Sequence, residues 1–252
     1  AEGAANGGSP VIFRSGMQIV QAGKYVSHWG VEGRGDGELN GPASMVFDEQ
    51  DNIYLTDSRN NRVQKFTKDG QFLGKWGSYG TGEGEFDLPW GITIDPEGNV
   101  FVADWRNDRI QKFTSSGRFI ASYGRSGTGE GEFHRPSSVA VDPDGYIYVA
   151  DWGNERVQML DPEGEFLAAV RGEATISPWA QDFLDANREE MAAREKSDLE
   201  PDLAFADNDV HEEAHHMEKY FWSPVSVKLD REGRLYVTDR NRHRIQVFQR
   251  SS

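Results

Sequence analysis

Three copies of one pattern, spaced 47 residues apart, leave this chain few ways to fold. Pro42, Pro89 and Pro136 share that spacing, as do Asp57, Asp104 and Asp151, and Trp29, Trp76 and Tyr123. A fourth copy follows late, with Pro224 and Asp239 each 88 residues after their counterparts, so a block of 41 residues separates copies three and four. Sequence repeats of this length signal stacked supersecondary units that bury their apolar faces on one another.

Each copy reads as four short strands. In the second, an alternating run (Ile92, Ile94) meets a Pro96-Glu97-Gly98 turn, then Val100 to Ala103, a polar loop Asp104 to Arg109, Ile110 to Phe113, a Ser116-Gly117 turn and Phe119 to Tyr123. β-branched and aromatic runs bounded by Gly, Pro and Asp turns make an antiparallel meander. A four-stranded meander repeated at this period predicts an all-β chain of propeller blades.

The stretches LTDSRNNRVQKF, VADWRNDRIQKF, VADWGNERVQML and VTDRNRHRIQVF, with the upstream Gly84-Glu85-Phe86 and Gly131-Glu132-Phe133 elements, resemble the NHL repeat. The resemblance implies a β-propeller. NHL propellers usually have six blades, whereas four copies are visible, so the chain either closes a smaller ring or covers part of a six-bladed parent. Residues 1–10 read as a flexible leader, 11–171 as blades, 172–221 as an acidic helical insertion and 222–252 as the last blade. Lys24 to Trp29 has the pattern of a fourth strand and is expected to complete that last blade, which stops at Phe248. The run Val11 to Val20 has no assignment.

Meanders alternate ends, so the tight Asp-Pro-x-Gly and Ser-Gly turns fall on one face. The Asp-to-Arg loops, the joins between blades and the insertion fall on the other, where long loops on a rigid scaffold carry function. The repeated pairs Asp57–Arg62, Asp104–Arg109, Asp151–Arg156 and Asp239–Arg244 read as ion pairs fixing each loop. Positions that break the repeat say more. Trp105 and Trp152 follow the loop aspartates and Trp90 follows a strand-opening proline, which gathers three indoles at one end of adjacent blades. Such surfaces suit sugar rings, peptides and other flat groups. With Arg59, Arg106 and Arg240 nearby, these residues form the expected ligand-binding set.

The insertion changes character. Ser177-Pro178 marks a helix start followed by Trp179, Phe183, Leu184 and Met191; after a break at Asp198 to Asp209, Val210, Ala214, Met217 and Phe221 make the apolar stripe of a second helix. Two amphipathic helices over the long-loop face read as a lid. His211-Glu212-Glu213-Ala214-His215 matches H-E-x-x-H, and His211, His215 and Glu218 share one helical stripe able to hold zinc or manganese. Peptidyl-hydroxyglycine amidating lyase, a similar propeller, places zinc-binding histidines just after the strand-opening proline. Here those positions are Ala43, Trp90, Ser137 and Val225, so that zinc centre is not expected.

Composition narrows the classes. Zero cysteines exclude disulfides and thiolate chemistry. No apolar run reaches the roughly 18–20 residues of a membrane span, so a soluble chain is expected, with secreted or periplasmic placement left open. Of the net charge of −15, ten negative charges sit between Asp182 and Glu218. The lid therefore disfavours nucleic acid, while the bare propeller face does not. The first reading is a binding module for a small ligand, a glycan or a protein. The alternatives are a metal-dependent hydrolase or lyase using the histidine helix, and polyanion or RNA binding regulated by the lid.

Overall fold

The computed structural model describes residues 28–173, 178–197, 199 and 209–250. The leader, the run Val11 to Val20 and most of the segment 24–29, expected as a strand, lie outside the described residues. Blade 1 is β1 (Pro42–Phe47), β2 (Ile53–Asp57), β3 (Arg62–Phe66) and β4 (Phe72–Trp76). Blade 2 is β5 (Pro89–Ile94), β6 (Val100–Asp104), β7 (Arg109–Phe113) and β8 (Phe119–Tyr123). A short parallel pair, β9 (Arg125–Ser126) and β10 (Glu132–Phe133), leads into blade 3, formed by β11 (Pro136–Val141), β12 (Ile147–Asp151), β13 (Arg156–Leu160) and β14 (Phe166–Val170). Blade 4 has β15 (Pro224–Leu229), β16 (Arg234–Asp239) and β17 (Arg244–Gln249). Strand order within each blade follows the chain, and all blade ladders are antiparallel. This is the propeller arrangement the repeat predicts.

Every blade opens on the same pairing: Pro42, Pro89, Pro136 and Pro224 face Asp57, Asp104, Asp151 and Asp239, with an irregular register directly after. Proline cannot donate to a ladder, so it sits at the strand start, where the irregularity absorbs it. The opening strands β1, β5, β11 and β15 pack side by side in that order around the axis.

The blades join face to face. Val46, Tyr54 and Val63 on one side of blade 1 pack with Ile92, Val100, Val102 and Phe113 of blade 2, together with Trp76 and Phe86. Trp76 ends β4 and lies over Gly117, whose φ of +86° and lack of a side chain are both required, since a Cβ there would stand 2.6 Å from the indole. Trp29 seats against Gly70 in the same manner, and its ring lies 4.8 Å from that of Phe66. At the third recurrence Val170 replaces the aromatic. There the joint between blades 3 and 4 retains an apolar cleft of about 340 Å³ lined by residues including Tyr148, Met159, Val170 and Phe248.

The insertion departs from its expected form. It contains three helices among the described residues, α1 (Pro178–Ala186), α2 (Arg188–Glu195) and α3 (Val210–His216). The first predicted helix breaks at Asn187, whose φ of −126° and ψ of 81° are not helical and whose side-chain amide donates to the Phe183 carbonyl. The second ends before Met217, whose backbone is extended. Phe221 is therefore not on a helical stripe. It is a buried blade residue, packed with Phe248 at 5.8 Å, in the place that Phe86 and Phe133 take in blades 2 and 3. The spacing of four from Met217 concealed that role, because the repeat restarts directly after the insertion.

Candidate functional site

The loop after the second strand of each blade is built around its aspartate. Asp151 accepts through Oδ2 from Arg156 Nε at 2.8 Å, Asn154 Nδ2 at 2.8 Å and Gln158 Nε2 at 3.0 Å, and through Oδ1 from the His134 N–H at 2.7 Å. The Arg156 guanidinium spends its other donors on the Thr128, Gly129 and Glu132 carbonyls. Asp57 and Asp104 repeat this network with Arg62 and Arg109. Asp239 keeps the Arg244 bond at 2.8 Å, with the Trp222 N–H on Oδ1. All four aspartates are buried. Burial raises the carboxyls of Asp104 and Asp151, an effect their hydrogen bonds and paired arginines only partly offset. With both sides of each pair engaged inside the chain, the Asp–Arg ring is a scaffold.

On that scaffold stands a row of aromatic rings. The Trp90 and Trp105 ring centroids are 6.0 Å apart at 36°, and those of Trp105 and Trp152 are 6.2 Å apart at 40°. His211, from α3, extends the row at 6.4 Å from Trp152. The Arg135 guanidinium lies 4.9 Å from the Trp105 centroid. Trp90 is 45% exposed, Trp105 and Trp152 are half-buried, and Arg135 is exposed. The row thus offers ring faces and a cation on a rigid rim.

The predicted arginines are placed less tightly. Arg106 is exposed, 3.9 Å from Asp87. Arg59 and Arg240 are exposed on equivalent loops of blades 1 and 4, and neither is among the cations stacked on the indoles. Arg135 and Glu155 were missed. Their signal was present, because Arg135 takes the place of Leu88 and Ser223, and Glu155 that of Asn61 and Asp108, so each breaks the repeat as the tryptophans do.

Glu155 fixes α3 to the rim. It is buried; its Oε1 meets His211 Nδ1 at 2.6 Å and its Oε2 accepts from the Ser223 N–H at 2.5 Å. Burial raises this carboxyl, with the Ser223 and His211 contacts pulling the other way. Arg242 closes the other end of α3 by donating to the Ala214, His215 and Met217 carbonyls at 2.8–3.0 Å. The helix α3 lies against the long-loop face.

The expected metal set is drawn in three directions. His211 engages Glu155, Glu218 holds Arg194 through two bonds of 2.8 and 3.0 Å, and His215 stacks on Trp222 at 4.7 Å. The grouping that forms among the described residues is Glu212, His215 and His216, all exposed, with potential ligand atoms within 4.8 Å of one another. At the tight-turn end, a depression of about 520 Å³ is lined by Phe47, Ile94 and Val141 with Asp48 and Asp95. Its carboxylates are taken, since Lys65 lies 3.2 Å from Asp48 and Lys112 3.4 Å from Asp95. The indole row, with Trp90 exposed and Arg135 stacked on Trp105, is the better site.

Comparisons agree with the blades. The family model for the NHL repeat matches residues 133–159 and 221–248, and that for the SMP-30/Gluconolactonase/LRE-like region matches residues 36–128. No curated protein matches the chain in sequence. Among solved structures, virginiamycin B lyase from Staphylococcus aureus aligns with a TM-score of 0.47 at 13% identity, over 81% of this chain and 54% of that one. A protein of unknown function from Bacteroides caccae aligns at 0.49 and 13% identity, covering 79% and 56%, and a nidogen/laminin complex at 0.48 and 17%, covering 83% and 59%. The chain spans little more than half the length of these structures. No helix among the described residues is long and apolar enough to cross a membrane. The chain thus carries NHL repeats at residues 133–159 and 221–248 within a propeller arrangement of four blades.

Proposed function

We propose that the chain is a binding module that takes a ligand or protein segment on its long-loop face, against Trp90, Trp105 and Trp152, with α3 forming one wall. The row of three indoles carried on two adjacent blades and extended by His211 carries this reading. Scaffold needs do not account for it, since blades 1 and 4 build the same loop with Ser58 and Arg240 in place of Trp105 and Trp152. Rigid rings lose little entropy on binding, and Arg135 adds a positive charge beside them, which suits a flat group carrying an acidic substituent. Glycan and peptide arrays probed with the wild-type chain and with the Trp105→Ala, Trp152→Ala double variant test this. Array members bound by the wild type are expected to weaken at least tenfold on the variant; equal binding by both would remove the indole row from the account.

A second reading, a metal-dependent hydrolase or lyase, draws on the grouping of Glu212, His215 and His216. A stoichiometric zinc or manganese ion on the purified chain, lost in His215→Ala, would favour it. Polyanion binding is expected to require removal of the segment from Asp182 to Glu218, because it carries ten of the fifteen net negative charges.

A further inference from the structure

The exposed side of α3 carries metal-ligand chemistry. The helix has seven residues, Val210–His216, too few to hold its form alone. Its inner side is anchored: Ala214 is buried, His211 Nδ1 meets Glu155 at 2.6 Å, and Arg171 donates to Glu213 at 2.6 Å. Asp209 caps the first turn by accepting the His211 N–H at 2.9 Å. With 3.6 residues per turn, Glu212, His215 and His216 share a sector about 100° wide on the side away from Ala214. All three are exposed.

This spacing brings their donor atoms together. Glu212 and His216 stand four residues apart with Oε2 and Nε2 at 3.9 Å, and the His215 and His216 ring centroids are 4.7 Å apart. One ligand atom from each residue lies within 4.8 Å of the other two. In a tetrahedral zinc site with bonds of about 2.0–2.1 Å, ligand atoms are roughly 3.3 Å apart. Rotation of the exposed side chains between neighbouring χ values covers that difference. Two imidazoles and a carboxylate, with water in the fourth position, are a donor set that suits zinc, whereas calcium and magnesium call for more oxygen. The segment from Asp182 to Glu218, with ten of the fifteen net negative charges, draws cations toward the helix.

We propose that Glu212, His215 and His216 bind one zinc ion that staples the last turn of α3. The helix ends at His216, since the Met217 backbone is extended, and terminal turns are where helices fray. An ion held by Glu212, His215 and His216 closes that turn on itself. His215 also stacks on Trp222 at 4.7 Å, and the Trp222 N–H donates to Asp239, so the ion ties the helix to blade 4. Unlike the hydrolase or lyase reading, this role asks for no reaction at the metal. Because α3 is one wall of the proposed ligand site, zinc would set how firmly that wall stands. That consequence rests on the binding reading above; the metal site itself does not.

Titration calorimetry of the full chain with zinc chloride alone tests the site, and amide exchange of the same samples tests the staple. One ion per chain is expected, with affinity lowered at least about tenfold in Glu212→Gln and in His216→Ala. Both side chains are exposed, so circular dichroism of each variant should match the wild type. Glu218→Gln should leave the zinc affinity unchanged, because Glu218 is engaged with Arg194. With zinc at about ten times its Kd, amide exchange across Val210–His216 should slow about tenfold by mass action on the helical form. The same zinc concentration should leave exchange in His216→Ala unaltered. No stoichiometric zinc, zinc bound equally well by both variants, or affinity lost only in Glu218→Gln would overturn the site. Bound zinc with unchanged exchange in α3 would overturn the staple. Neither readout involves an array ligand or a substrate, so failure here leaves the indole row standing, and failure of the row leaves the zinc site standing.

Discussion

Asp151 sits at the centre of four donors and carries its charge without solvent, which makes it expensive to alter. Replacing it by alanine leaves the Arg156 guanidinium and the His134 N–H without their shared acceptor, and stranding half of a buried pair costs about 3–5 kcal/mol. Asp151→Ala is expected to lower stability by that order in urea unfolding, and Asp144→Ala, at an exposed turn, by far less. The carboxylates also divide by sign. Burial raises Asp104 and Asp151, so their titration favours the folded chain below the ordinary aspartate value of 3.8, and that contribution is lost as pH rises through their folded values. At Asp230 burial also pulls upward, but hydrogen bonds from Arg234, Glu232 and Tyr236 outweigh it and hold the carboxyl at about 2. Its contribution is present above 3.8 and lost as pH falls toward 2. Melting temperatures recorded from pH 5 to pH 2 should therefore fall less steeply for Asp230→Asn than for the wild type.

At the scale of elements, α3 is held to the blades by Glu155 at His211, by Arg242 at its C-terminal carbonyls and by Arg171 at Glu213. Glu155→Ala removes the acceptor of both His211 and the Ser223 N–H, and a buried donor left without a partner costs about 1–3 kcal/mol. Faster amide exchange across Val210–His216 is expected, with blades 1 and 2 unchanged; equal protection in the variant would show that Arg242 and Arg171 hold the helix without Glu155. The joint between blades 3 and 4 offers the opposite change. Val170→Phe restores a ring where Trp76 and Tyr123 stand, and filling such a cleft commonly adds about 0.5–2 kcal/mol, which differential scanning calorimetry would read as a raised melting temperature. Both elements show what periodicity can and cannot reveal. Strands were legible because each carries its own alternation and turns. The break at Asn187 was not, since no Gly or Pro marks it, and Phe221 was misread because three helix-like steps run by coincidence into a blade residue.

For the whole molecule, the repeat made the fold readable before any coordinates, and departures from it made the indole row readable as well. What it could not supply were contacts between segments far apart in sequence. Glu155 meets His211 across 56 positions, and the metal set chosen from one helical stripe is dispersed because its members find nearer partners in the scaffold and in α2. The central claim is that this scaffold presents Trp90, Trp105 and Trp152 to a ligand. It is tested most directly by following the indole N–H resonances of the seven tryptophans while an array-selected binder is titrated in. The account predicts that Trp90, Trp105 and Trp152 shift with a common saturation curve while Trp29 and Trp76, locked in the blade joints, do not. Shifts confined to Trp29 and Trp76, or absent from all three rim indoles, would contradict it.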